Sequence, residues 1–183
     1  MIDIQELCKF LTKAKKATYA SGEETKKIKE EDLSTTLVFE ENNRKYHDNY
    51  FGGAPYGWRE VVFFEGKPIY MMTYYGWVNE NVVDINWVYK TIQHALLLIP
   101  EEKPYRGPEI YKEWEYTYTN SFSGKVDNFF GEESIKHNGK EIYKAKYMGG
   151  LVDQRKWLNG KKCVAEILDI DKIRNKFKLS IFS

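Results

Sequence analysis

Cysteine is scarce in this 183-residue chain: Cys8 and Cys163 are the two present, far apart and in no CxxC pair. That excludes a disulfide scaffold and a zinc knuckle. Long apolar runs are lacking too. The longest, residues 95–99, is far short of the roughly 20 residues a membrane-spanning helix needs. Excess charge of either sign is missing, since 28 Lys+Arg face 27 Asp+Glu for a formal net charge of +1. Charges within the first nine residues are unlike a signal peptide. A reduced, soluble, cytoplasmic protein with no membrane association is the expectation.

Familiar catalytic signatures are absent as well. The chain has no GxxxxGK[ST] loop, GxSxG elbow or HExxH pair, and no HxE combined with PCxxC. These absences exclude the usual routes to nucleotide hydrolysis, serine hydrolysis and zinc chemistry. His47, His94 and His137 sit on different elements without ligand spacing, so no metal and no cofactor are expected. Cys8 falls on an apolar helical stripe and reads as an inert core thiol.

What the chain has is aromatic side chains: 14 Tyr, 10 Phe and 5 Trp, together 16%. With 42% hydrophobic and 30% charged residues it is globular rather than disordered or fibrous. It also repeats itself. At an offset of 73, residues 59–76 overlie 132–149 with seven identities in 18 positions, where about one is expected by chance. Glu60 meets Glu133, Tyr70 meets Tyr143 and Tyr74 meets Tyr147. At an offset of 72, Tyr46-x-Asp48-x-Tyr50-x-Gly52 overlies Tyr118-x-Asn120-x-Phe122-x-Gly124. A tandem duplication accounts for this, with repeats at about 3–80 and 82–152 inside a single domain, 1–183.

Each repeat opens with a helix. Ile4, Leu7, Cys8, Leu11 and Ala14 recur at helical spacing over about 3–17, and Ile85, Val88, Ile92 and Leu96 do so before Pro100. These apolar stripes are the expected core faces. Strands follow, punctuated by Asn138-Gly139 and Glu65-Gly66, both hairpin turns. A two-residue turn at each place sets Glu133 opposite Lys144 and Glu60 opposite Met71. The fold class is α+β: two helix-plus-antiparallel-meander units forming one curved sheet, helices on one face. Segments 20–34 and 100–111 read as loops. From Asp153 onward the chain leaves the repeat and turns basic, a solvated face by preference.

The candidate binding residues come from the repeats. Tyr46, Asp48 and Tyr50 share one face of a strand, and Tyr70 and Tyr74 share another, with Tyr75 beside them. Asn120, Glu133 and Tyr147 are their counterparts. Glu60 lies on an otherwise apolar face, which requires either a Lys or Arg from elsewhere or a role in binding. Phenols with one or two acids on a concave sheet suit a planar or cationic small molecule. Nucleic acid is disfavoured, because residues 1–152 hold 20 Lys+Arg against 23 Asp+Glu.

Phe10-Leu11, Ala14-Lys15, Thr18-Tyr19-Ala20, Tyr46-x-Asp48-x-Tyr50-Phe51-Gly52-Gly53, Glu60-Val61-Val62, Gly66-x-Pro68, Tyr74-Tyr75-Gly76, Arg106-Gly107-Pro108 and Gly149-Gly150 together resemble a bacterial family of unknown function, over about residues 7–152. The resemblance implies occurrence alone or behind a helix-turn-helix of the xenobiotic-response-element type, and hence a regulatory or sensory role. It supplies no catalytic residue. Trp58 stands where the second repeat has Gly131, a difference that bears on any pocket near Glu60. By analogy the duplicated architecture is similar to the gyrase-inhibitor-like multidrug-binding fold, in which a Glu and aromatics hold cationic compounds. The leading functional expectation is a non-enzymatic small-molecule-binding or sensing domain. Its rivals are an acid–base hydrolase or transferase using Asp48 and Glu60, and a protein-interaction module partnering a regulator or toxin.

Overall fold

The computed structural model describes residues 2–82 and 84–152. The basic segment from Asp153 onward lies outside the described residues. Helix α1 (Ile4–Ala17) starts at Asp3, whose carboxylate accepts hydrogen bonds from the Gln5 and Glu6 amides and satisfies donors that have no partner within the helix. Helix α2 (Ile85–Leu97) starts in the same way at Asp84. A 3-10 helix (Tyr19–Glu24) follows α1 directly. Among the described residues, no helix is long and apolar enough to cross a membrane.

The strands are β1 (Ile28–Lys29), β2 (Thr35–Glu41), β3 (Arg44–Gly52), β4 (Tyr56–Phe64), β5 (Lys67–Val78), β6 (Ile110–Glu113), β7 (Tyr116–Lys125), β8 (Asn128–His137) and β9 (Lys140–Leu151). They form one open antiparallel sheet in the order β1-β2-β3-β4-β5-β9-β8-β7-β6. The architecture is α+β. Short strands and a 3-10 turn occupy parts of the two stretches expected to be loops, because Ile28–Lys29 and Ile110–Glu113 extend the sheet at its two edges.

Both hairpins turn at residues with positive φ: Glu65 (50°) and Gly66 (75°) in one, Asn138 (50°) and Gly139 (80°) in the other. That is the stereochemistry of a type I′ connection, whose twist matches the strands it joins. The expected register is nevertheless displaced by one residue. A bulge between Val62 and Phe63 leaves Ile69 over, and one between Ile135 and Lys136 leaves Ile142 over. Glu60 therefore faces Met72, not Met71, and Glu133 faces Ala145, not Lys144. Lys144 instead reaches Glu132 at 2.8 Å. At the centre of the sheet Tyr74 faces Tyr147.

Both helices cover the sheet face that carries Tyr46, Tyr70, Tyr118 and Tyr143, all fully buried. Leu7, Leu11, Val88, Ile92 and Leu96 join that core, whereas Ile85, in the first turn of α2, is half-buried. The opposite face is open and carries Met71, Tyr75, Trp77, Phe130 and Met148. Leu96→Ala removes packing between α2 and the sheet and should cost about 2–5 kcal/mol, read as a lower urea midpoint at an unchanged m-value. A loss well under about 1 kcal/mol would contradict this packing.

Candidate functional site

The register brings the polar residues of the covered face together in rows. Leu37, Asp48, Glu60 and Met72 form one row across β2 to β5, and Asn120, Glu133 and Ala145 form another across β7 to β9. Each row thus carries a glutamate into the interior, Glu60 at 2% exposure and Glu133 at 1%. A buried carboxylate is costly unless it is paired and hydrogen-bonded. The two are satisfied in different ways.

Glu133 receives Arg106 in fork geometry, Nε to Oε2 at 3.0 Å and Nη2 to Oε1 at 2.7 Å. Tyr118 donates to Oε2 at 2.6 Å and Tyr143 to Oε1 at 2.7 Å. Arg106 comes from the loop after α2, held by its neighbour: the Gly107 amide donates to Tyr118 Oη and its carbonyl accepts from Asn120 Nδ2. Asn120 in turn accepts from Tyr147, and Tyr143 meets Tyr56 hydroxyl to hydroxyl at 2.5 Å. The guanidinium also lies 4.7 Å from the Tyr74 ring centre. Burial pushes the Glu133 carboxyl up. The charge and hydrogen bonds of Arg106, with the two phenols, more than reverse this, and its pKa sits below the ordinary value.

Glu60 is met by a lysine. Lys15 reaches down from α1 to place Nζ 2.5 Å from Oε2, and donates to the Tyr105 carbonyl at 2.9 Å. The bridge to a distant base, one of the two possibilities for Glu60, is thus the one realised. Burial lowers the Lys15 pKa, and the neighbouring Glu60 charge offsets this only in part. Asp48, facing Glu60 across the strands, is served worse. Oδ2 has a long contact of 3.4 Å from Tyr46, and Oδ1 is buried with no hydrogen-bond partner. Burial, and then the charge of Glu60, hold its pKa well above the usual carboxylate range.

Nothing here is an open binding face. Of the ten expected site residues, Tyr46, Asp48, Glu60, Tyr70, Tyr74, Asn120, Glu133 and Tyr147 come together, but beneath the helices. Tyr75, 54% exposed, points to the other side of the sheet. Tyr50 is half-buried and belongs to a separate feature at the surface.

That feature is a cavity of about 290 Å³ walled by Tyr19, Tyr50, Tyr56, Trp58 and Tyr89. Gly52 and Gly53 form one side, and Lys27 and Gln93 add polar side chains to the tyrosine hydroxyls. Trp58 stands between the rings of Tyr50 (4.4 Å) and Tyr74 (5.3 Å), its cross-strand neighbours, and takes Tyr19 edge-on at 4.9 Å. Its Nε1 is buried without a hydrogen-bond partner. Tyr89 is anchored across the mouth by donating to the Gly53 carbonyl. At Gly131, which the sequence repeat aligns with Trp58, a Cβ would come within 2.4 Å of Tyr147 Cζ and Oη and 2.6 Å of the Ser121 carbonyl oxygen. No side chain can stand there without displacing Tyr147 and the β7 backbone at Ser121.

Lys15, Arg106, Tyr118 and Tyr143 were not among the expected site residues, nor were Tyr19, Tyr56, Trp58 and Tyr89. A signal existed for Lys15, which falls four residues after Leu11 and eight after Leu7, on the buried stripe of α1. Another existed for Arg106, set between Pro104 and Pro108 in a stiffened loop. Among the described residues no cluster of His, Cys, Asp and Glu could hold a metal ion.

A family model described as a domain of unknown function (DUF5680) matches residues 48–152. No curated protein and no solved structure matches the chain.

Two substitutions separate the roles of the buried acids. Glu133→Gln leaves Arg106 buried without a counter-charge and should cost about 3–5 kcal/mol. Asp48→Asn removes a carboxyl whose native pKa exceeds its unfolded value. The native state keeps a proton that the unfolded chain releases, so the parent loses stability as pH rises above about 4. Asn abolishes that loss. Urea titrations should show Asp48→Asn matching the parent near pH 4, within the range of an unperturbed Asp, and exceeding it increasingly towards neutrality. An equal effect at both ends of that range would mean that Asp48 is ionised in the native protein.

Proposed function

We propose that this chain, which belongs to the DUF5680 family of domains of unknown function, binds a small flat molecule in the cavity between the 3-10 helix, β3, β4 and α2. The observation that carries this reading is the cavity itself, five aromatic side chains converging on a space of about 290 Å³ at the protein surface. Aromatic walls with few polar groups are typical of small-molecule sites, where ring stacking supplies affinity and the polar groups fix orientation. The domain then acts as a sensor or carrier rather than an enzyme. Asp48 and Glu60, the acid–base pair of the rival reading, are each at most 2% exposed, and Glu60 is occupied by Lys15.

We infer also that the two halves descend from one duplicated unit. Supporting this are the paired positive-φ turns at 65–66 and 138–139, the bulges that leave over Ile69 and Ile142, and the facing of Tyr74 and Tyr147. On that reading the halves diverged where it matters for binding. One carries Trp58 in the wall of this cavity, the other Gly131 packed against Tyr147.

A thermal-shift screen of flat aromatic fragments tests the binding reading. Several should raise the midpoint of the parent. Tyr89→Ala, which removes one wall and touches neither buried ion pair, should weaken them by about 1 kcal/mol or more. A library without any stabilising member, or hits indifferent to Tyr89→Ala, would refute it.

A further inference from the structure

We infer that this chain forms a twofold dimer through the open face of its sheet, β5 of each copy lying over β9 of the other. The partner is a second copy of the chain, and the surface lies on the other side of the sheet from Tyr50 and Trp58.

The first observation is what that face exposes. At its centre Met71, Tyr75, Trp77, Phe130 and Met148 stand 36–61% exposed. They adjoin one another. Phe130 faces Met148 across β8 and β9, and the rings of Tyr75 and Trp77 lie 6.5 Å apart. Met71 and Tyr75 are the diagonal neighbours of Met148 across β5 and β9. Five such side chains alone expose about 500 Å², at the upper end of what a monomer leaves in one patch. The polar side chains around them, among them Arg59, Glu132 and Lys146, bring the face to the about 800 Å² that each partner gives to a standard interface.

The second observation is the register, which makes the face complementary to itself. Its rows run Arg59–Thr73–Met148–Phe130 and Gly57–Tyr75–Lys146–Glu132, with Trp77 beside Lys144 in the next. A twofold dimer must set one surface against a copy of itself. An axis parallel to the strands, between β5 and β9, keeps each row at its height and exchanges its ends. The strands of the two copies are then aligned, as they are within about 30° in stacked sheets. Tyr75 and Trp77 of one copy lie over Lys146 and Lys144 of the other, aromatic rings against ammonium groups. Met71 meets Gly150, a large side chain over a missing one. Arg59 comes over Phe130 with Glu132 beside it. An axis across the strands would set β9 on β9 and gather the four lysines together, which like-charge repulsion disfavours.

Sedimentation velocity of the full chain at about 1–100 µM reads the association. The parent should shift from monomer to dimer with concentration. Tyr75→Lys, an exposed change checked by an unaltered urea midpoint, sets ammonium against Lys146 of the second copy and should weaken the dimer about tenfold or more. Tyr75→Glu sets a carboxylate there and should dimerise about tenfold more tightly than Tyr75→Lys. A parent monomeric throughout that range would overturn the inference and leave the face to an occupant other than a second copy. A dimer indifferent to Tyr75→Lys uses another surface, which also overturns it. Equal weakening by Lys and Glu would overturn the placement of β5 over β9.

Discussion

Two glutamates on the covered face of a sheet must each find a positive charge, and the rest of the structure is arranged around that need. Desolvating a carboxylate costs several kcal/mol, and the cost is offset only when a cation and further hydrogen bonds arrive together. Neither cation lies on the sheet. Lys15 descends from α1, and Arg106 enters from the loop that follows α2. The ion pairs therefore pin the covering layer to the sheet at two places, and they do so with directionality that apolar packing lacks. Arg106 makes the stronger attachment, because its planar fork engages both oxygens of Glu133 while two phenols complete the shell.

The tyrosines of the interior follow from the same constraint. A phenol fills the volume of a large apolar side chain and brings a donor to a buried acceptor. Tyr118, Tyr143 and Tyr56 carry hydroxyl contacts from Glu133 across to β4, and Tyr147 donates to Asn120, which is tied to Tyr118 through the Gly107 backbone. On the other side the set is incomplete. Asp48 stands where the second half has Asn120, its Oδ1 meets no donor, and burial raises its pKa. An asparagine can donate as well as accept, and Asn120 does both. Asp48 Oδ1 and the Tyr70 hydroxyl are thus buried without hydrogen-bond partners and mark where interior polarity trades against stability.

The cavity is a consequence of packing rather than of charge. Tyr50, Trp58 and Tyr74 are cross-strand neighbours on three adjacent strands, and their rings stack as a ladder along the sheet. The ladder raises an aromatic wall that the 3-10 helix and α2 meet without filling the space between. At Gly131, which the sequence repeat aligns with Trp58, a Cβ would come within 2.4 Å of the Tyr147 side chain, so no such ladder is built there.

Much of the fold was legible in the sequence because it depends on short-range rules. Helical spacing placed Leu7, Leu11, Val88, Ile92 and Leu96 inside, and turn chemistry placed both hairpins, since Glu65-Gly66 and Asn138-Gly139 must adopt positive φ. The alternation of Tyr46, Asp48 and Tyr50, and of Tyr70 and Tyr74, correctly assigned them to one face. Counting outward from a turn failed where Ile69 and Ile142 bulge, because a bulge answers to the twist of the whole sheet and not to the residues beside it. Partnership and exposure were beyond reach for a similar reason. Whether Glu60 is a binding group or one end of a bridge depends on α1 folding back over the sheet, and Arg106 meets Glu133 from 27 positions away. Local sequence determined the two long helices, the hairpin turns and the residues that share a face, but not the edge strands Ile28–Lys29 and Ile110–Glu113. Tertiary structure alone decided which acids are neutralised, which aromatics are core and which line a cavity, because burial is a property of the layers that close over a residue.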